Sequence, residues 1–194
     1  MLRRLVPLLA CLPLVTLGSC ASFDDAGDDA EAAAGAPLPL ERGELGSARN
    51  VTTWGDLTMA GQPSVEDLEL AKKRGITRVL NVRTAPELER MDWSEAAACA
   101  DLGVEYVQVG FGGEDVTDEV VDLVLATLDR PAPDGGGTLF HCASGNRTAL
   151  FVALLRMRDD GLSYDEALAD AQAAGLKPGS LPLLEAQAER LGLR

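Results

Sequence analysis

A single histidine stands in this 194-residue chain, and only four cysteines accompany it. Cys11 and Cys20 lie in an N-terminal stretch that reads as a processing signal, so the folded part keeps Cys99, Cys142 and His141. So few ligands exclude a structural zinc site, which takes four, and no residue pattern asks for a cofactor. Positive charge is scarce as well: 17 Lys and Arg face 31 Asp and Glu, a formal net charge of −14. That balance argues against nucleic acid and against anionic lipid headgroups as partners. Long apolar runs are confined to Leu5 through Leu17, which is short for a bilayer span. No internal repeat is present.

The apolar run follows Arg3 and Arg4 and leads into Leu17-Gly18-Ser19-Cys20, the order of a bacterial lipoprotein signal. On that reading residues 1–19 are a signal peptide and Cys20 is acylated as the mature N-terminus. The lipid then tethers the protein to a membrane of the bacterial cell envelope, facing the periplasm or the exterior, where conditions are oxidising. Residues 20–48 are rich in Ala, Gly, Asp, Glu and Pro with no periodic apolar face, so they are expected to form a flexible acidic tether. Residues 49–194 are then one domain, long enough for a single core.

Within that domain Thr138-Leu139-Phe140-His141 is a short apolar strand running into Cys142-Ala143-Ser144-Gly145-Asn146-Arg147-Thr148. A loop that turns from strand to helix aims backbone N–H groups inward, and the helix behind it adds partial positive charge, so an oxyanion is held without a metal. Gly145 lets the backbone turn and approach a ligand. Arg147 can return to the mouth of the loop and fork two N–H groups onto a phosphate or sulfate. A cysteine in such a field is held as thiolate, the nucleophilic form. Ala149 to Leu155 is apolar nearly all round, so the following helix is expected to be buried and the loop rigidly backed.

Elsewhere the pattern alternates. A hairpin is expected at 51–54 and 57–60, then a helix from the Ser64 cap to Arg74, a strand at 76–82, and a helix over 87–102 interrupted or loose near Trp93 and Ser94. A strand at 104–109, a glycine-rich loop at 110–116 and a helix from the Thr117 cap to Asp129 follow, and two helices at 163–174 and 181–191 close the chain. Such alternation implies an α/β layer structure with a central, mainly parallel sheet flanked by helices, and it puts Cys142 at the carboxyl end of a strand. Cys99, in an alanine-rich helix, is expected to be a small buried hydrophobe, with a disulfide to Cys142 as the alternative. Arg83 either lines the pocket or pairs with Glu87.

Four separated blocks carry a resemblance. Met59-Ala60-Gly61-Gln62-Pro63-Ser64, Gly75 to Arg83, Gly103 to Val107 and His141 to Arg147 together resemble the beta-lactamase hydrolase-like, protein-phosphatase-like family, which stands with the cysteine-dependent dual-specificity and tyrosine phosphatases. The resemblance implies a three-layer phosphatase-like fold and hydrolysis of phosphomonoesters, on a protein or a small molecule, through a phosphocysteine intermediate. It makes Cys142 the nucleophile and Arg147 the binder of equatorial oxygens, with the amides of Ala143, Ser144, Gly145, Asn146 and Thr148 completing the cradle. Ser144 or Thr148 would donate a hydroxyl hydrogen bond to the sulfur, and His141 either orients the loop from behind or is a satisfied core residue. The leaving group takes its proton from an acid on a neighbouring loop; Glu114, Asp115 and Asp118 are the candidates, and Asp115 is preferred. Four residues separate Cys142 from Arg147 where tyrosine phosphatases usually place five, so Thr148 stands where their arginine falls. One residue fewer shortens the loop contour by about 3.3–3.6 Å, and this spacing also resembles rhodanese-like sulfurtransferases. Sulfur transfer and a catalytically weak anion-binding domain are therefore the alternatives.

Overall fold

The structure is a computed structural model that describes residues 37–112 and 116–194. The expected signal, Cys20, Glu114 and Asp115 lie outside the described residues.

Among the described residues six strands form one sheet: β1 (Glu41–Arg42), β2 (Thr52–Trp54), β3 (Leu57–Ala60), β4 (Ile76–Asn81), β5 (Glu105–Gln108) and β6 (Gly137–His141), in the spatial order β1-β2-β3-β6-β4-β5. The pairings of β3 with β6, β6 with β4 and β4 with β5 are parallel, and β1 and β2 add an antiparallel ribbon at one edge. The helices are α1 (Val65–Lys73), α2 (Ala85–Leu88), α3 (Glu95–Asp101), α4 (Asp118–Asp129), α5 (Asn146–Asp159), α6 (Tyr164–Ala173) and α7 (Leu181–Arg190). The chain runs outward from β3 to β4 to β5 and then returns through α4 to insert β6 between β3 and β4. That reversal is the kind of switch point at which open parallel sheets hold ligands.

Strand periodicity assigns the two cores. Met59, Phe140 and Leu80 are in register on neighbouring strands and join the core packed by α4 to α7, whereas Leu139 and Val79, one residue earlier, join the core packed by α1 and α3. α5 is covered all round: every residue from Thr148 to Met157 is buried. Phe151 on it meets Phe140 edge-on with ring centroids 5.6 Å apart. Each end of the fold is tied by an arginine. Arg78, 1% exposed, donates to Glu105 Oε2 at 2.6 Å and to the carbonyls of Arg130 at 2.6 Å and Pro131 at 2.7 Å, which fixes the connector before β6. Arg156 binds Asp170 Oδ2 at 2.8 Å and also Asp160.

One expectation changes and another is refined. The fold starts upstream of Arg49, because Glu41 and Arg42 pair with Thr53 and Thr52 and Leu45 is 3% exposed among Val51, Ala60 and Leu68. Composition hid this, since a two-residue strand and one buried leucine leave no periodic signal. The interruption expected near Trp93 and Ser94 is a full break: the stretch holds two short helices, α2 and α3, each with its own cap, at Thr84 and Ser94.

Candidate active site

β6 ends at His141, and within five residues the chain has turned through the loop into α5. The turn hangs on the neighbouring strand: Cys142 N–H donates to the Ala60 carbonyl and Gln62 N–H donates to the Ala143 carbonyl, both at 3.3 Å. Gly145 caps α5 with φ 92°, a left-handed conformation that favours glycine. A Cβ there would also meet Asn50 Cβ at 2.9 Å.

The peptide between Ser144 and Gly145 is held from both sides. Asn50 Nδ2 donates to the Ser144 carbonyl at 2.7 Å, and Gly145 N–H donates to Cys142 Sγ at 3.1 Å. In a trans peptide these two groups point in opposite directions, so the bond that fixes the carbonyl also aims the N–H at the sulfur. Asn50 itself sits at φ 51°, a conformation asparagine tolerates better than most residues. Its role could not be read from the sequence, where it is one polar residue before a hairpin. Asn146, at the start of α5, accepts from Lys177 N–H at 2.7 Å and donates to Ser180 Oγ at 3.0 Å, which fixes the turn leading into α7.

The hydroxyl expected on the sulfur is placed elsewhere. Thr148 Oγ1 donates to the Gly145 carbonyl at 2.8 Å, one turn back along its own helix. The Gly145 amide donates to Cys142 Sγ, and the Arg147 guanidinium stands close to the same sulfur.

Arg147 projects from the first turn of α5, and both of its terminal nitrogens bond one carboxylate. Its Nη1 donates to Glu87 Oε2 at 2.8 Å and its Nη2 to Glu87 Oε1 at 2.6 Å, while the Val82 and Phe111 carbonyls take Nη1 at 3.1 and 2.7 Å. Burial works against the charged guanidinium, yet the hydrogen bonds to Glu87 and the charges of Cys142 and Glu87 raise it further above its ordinary range. Arg147 hydrogen bonding, opposed by burial and helped by the Thr84 amide, lowers Glu87 to about 2. Glu87 is therefore an ionised clamp on the guanidinium, and Arg83 braces it, donating to the Glu87 carbonyl at 2.9 Å. Of the two roles read for Arg83, pairing is the one observed.

A cavity of about 530 Å³ opens above the loop. Glu87, Ala143, Ser144, Asn146, Arg147 and Ser180 contribute to its lining, and Phe111, Val116, Leu150 and Leu183 make its apolar walls. Cys142 is 1% exposed and is not part of that lining, so a ligand reaches the sulfur past the loop residues. Asp118, one of the acids considered, accepts from Gln187 Nε2 at 2.9 Å and lies 3.3 Å from Arg190 Nε; it faces α7 and does not line the cavity. Glu114 and Asp115 fall outside the described residues.

His141 is fully buried, with Nε2 3.0 Å from Oε1 of Glu95, which is 3% exposed. The sequence offered no sign of this, because Glu95 after the Ser94 cap looks like any first-turn acid. Cys99 and Cys142 are both free and belong to the two opposite cores, which rules out the disulfide between them. Among the described residues no cluster of three or more His, Cys, Asp or Glu is placed to ligate a metal.

The fold is that of the cysteine-dependent tyrosine and dual-specificity phosphatases. Pseudomonas aeruginosa TpbA, solved alone and in complex with pTyr, superposes with a TM-score of 0.64 at 20% identity over 81% of this chain and 97% of its own. Kinase associated phosphatase gives 0.61 at 16% identity, covering 81% of this chain and 98% of its own, and Tk-PTP gives 0.59 at 20% identity, covering 72% and 94%. No family model matches the chain. In sequence it is homologous to curated proteins named Beta-lactamase hydrolase-like protein from two strains of Xylella fastidiosa. The match to strain 9a5c is 28% identical over 135 residues, and that to strain Temecula1 is 27% identical over 125. These matches take in 68% and 63% of this chain but only 31% and 28% of those relatives, so the chain spans about a third of their length.

Two outcomes follow from this geometry. Glu87 is depressed in the folded state, so its contribution to stability is complete above its ordinary value of 4.5 and is lost as pH falls toward about 2. Thermal unfolding of Glu87→Gln should show a flatter loss of stability over that interval than the unsubstituted protein, and parallel curves would contradict the assignment. For Asn50, glycine retains the backbone conformation but removes the amide donor. Asn50→Gly should fold and should slow alkylation of Cys142 by iodoacetamide about fivefold, the equivalent of one ordinary hydrogen bond of about 1 kcal/mol. An unchanged rate would show that the loop keeps its shape without Asn50.

Proposed function

We propose that this domain hydrolyses phosphomonoesters by way of a phosphocysteine intermediate. The observation that carries the reading is the Cys142 sulfur at the N-terminus of buried α5, accepting the Gly145 amide with the Arg147 guanidinium close by. The thiolate attacks phosphorus, the bond from phosphorus to the ester oxygen breaks, and the leaving oxygen takes a proton. Water then attacks the phosphocysteine, releasing inorganic phosphate and returning the thiolate. Arg147 and the loop amides hold the phosphoryl oxygens through both steps, in a site backed by rigid packing.

The proton for the leaving group is assigned to Asp115, as the resemblance implies. Glu87 is unsuited to that step because it is ionised and paired with Arg147. Apolar walls of Phe111, Val116, Leu150 and Leu183 favour an aromatic or otherwise apolar ester. Arg147 is the only cationic side chain among the described residues of the lining, which favours one phosphate over several. That TpbA has been solved with pTyr fits the same class.

The site of action belongs to this proposal as well: a lipid anchor at Cys20 would hold the domain at the cell envelope. Among the described residues no helix is long and apolar enough to cross a membrane. That reading rests on the order of residues 3–20 alone.

The first test is phosphate release from an aryl phosphate by the reduced protein. Turnover should disappear in Cys142→Ser; a folded, reduced protein without turnover, above all one that transfers sulfur from thiosulfate, would overturn the phosphatase reading. For the anchor, labelling with radioactive palmitate in a bacterial host should mark the protein and should vanish in Cys20→Ala, whereas unlabelled protein in the soluble fraction would overturn it.

A further inference from the structure

The short helix α2 separates two concavities. Thr84 and Glu87 line the catalytic cavity, while Leu88, the next residue after Glu87, lines a second groove of about 200 Å³. Met91, Trp93 and Tyr106 complete the apolar part of that groove, and all four side chains are half-buried. The whole chain holds two tryptophans and two tyrosines, and one of each stands here. Aromatic and methionine side chains gathered in one concavity are the composition of protein recognition surfaces.

The groove is preformed. Thr84 N–H donates to Glu87 Oε2 at 2.9 Å and so closes the first turn of α2. Arg83 ties that turn to the groove, donating from Nη2 to the Glu87 carbonyl and from Nη1 to Met91 Sδ, both at 2.9 Å. At the opposite rim Ser94 Oγ accepts from Ala97 N–H at 3.2 Å and caps α3, and Trp93 and Tyr106 pack against the core beneath. Glu95, the one carboxylate in the lining, has both oxygens taken, Oε2 by Asn81 Nδ2 at 2.5 Å and Oε1 by Gln62 Nε2 at 3.1 Å. Its charge is satisfied by the protein, so the groove favours an uncharged side chain, and a site already held in shape costs a ligand little ordering.

Size and spacing define the ligand. A cavity of about 150 Å³ accepts a benzene ring, so a groove of about 200 Å³ takes one aliphatic or aromatic side chain. A helix with its side chains is about 10–12 Å across, and an extended peptide advances about 3.3 Å per residue, so a peptide laid over α2 crosses it in about three residues. We propose that this groove docks an apolar side chain of a phosphoprotein substrate, about three residues from the phosphorylated residue held at Arg147. A small phosphomonoester does not span the helix, so the groove separates protein substrates from free ones. The phosphate end of this assignment rests on the phosphatase reading, and the groove end does not.

Peptides with phosphonomethyl-phenylalanine in place of phosphotyrosine cannot be hydrolysed and suit the test. All other positions are serine except a single leucine, moved from one to five places away on either side. Leucine about three places away on one side should bind about tenfold more tightly than the all-serine peptide, the lower end of what burying one aliphatic side chain returns. It should also change the fluorescence of Trp93, a change absent in Trp93→Phe, and Met91→Ser should bring the affinity ratio close to one. Equal affinities throughout the scan, or no binding by any peptide, would overturn the docking site. A leucine preference that survives Met91→Ser would overturn it too, and the scan on the unsubstituted protein decides the matter if the variants do not fold. Hydrolysis of the matching phosphotyrosine peptides distinguishes the two readings. Leucine-dependent binding without turnover would sink the phosphatase reading and leave the groove standing, whereas equal turnover of every peptide would do the reverse.

Discussion

β6 lies between β3 and β4, and α5 leaves it within five residues while buried along nearly its whole length. Both ends of the intervening loop are thus set by packing, and the loop has no freedom to place its amides elsewhere. The rest of the site is arranged around that constraint. Gly145 supplies the one left-handed residue the turn requires, and the Ala60 and Ala143 carbonyls stitch the turn to the segment after β3.

Polar side chains then fix what backbone geometry leaves open. Asn50 comes from the N-terminal ribbon, Gln62 from the segment after β3, Glu87 from α2 and Glu95 from α3, and each ends on the loop or on a side chain that does. Such a network is stabilising only when nearly every member is satisfied, because a buried group without a partner costs more than an ordinary hydrogen bond returns. Arg147 shows the consequence: a guanidinium with two carboxylate bonds and two carbonyl bonds is preorganised, and the loop is one residue shorter than that of tyrosine phosphatases without leaving its arginine loose.

Much of this was legible before any coordinates. Alternation of strands and helices gave the layers, the all-round apolar run from Ala149 to Leu155 gave a buried helix, and the cysteine-to-arginine loop stood out because its residue types are rare together. What was missed shares one cause. Leu45, Asn50 and Glu87 are ordinary residues whose partners lie elsewhere in the chain, and local pattern carries no record of such partners.

The sequence by itself determined the Cys142-to-Arg147 loop, the helix behind it and the order of strands and helices, since these depend on periodicity and on spacing within a few residues. Only the tertiary structure decided that Glu87 holds Arg147, that Asn50 holds the Ser144 carbonyl and that Glu95 meets His141. Those pairs are separated by 60, 94 and 46 positions along the chain, and a contact of that range exists only once the sheet has closed around β6.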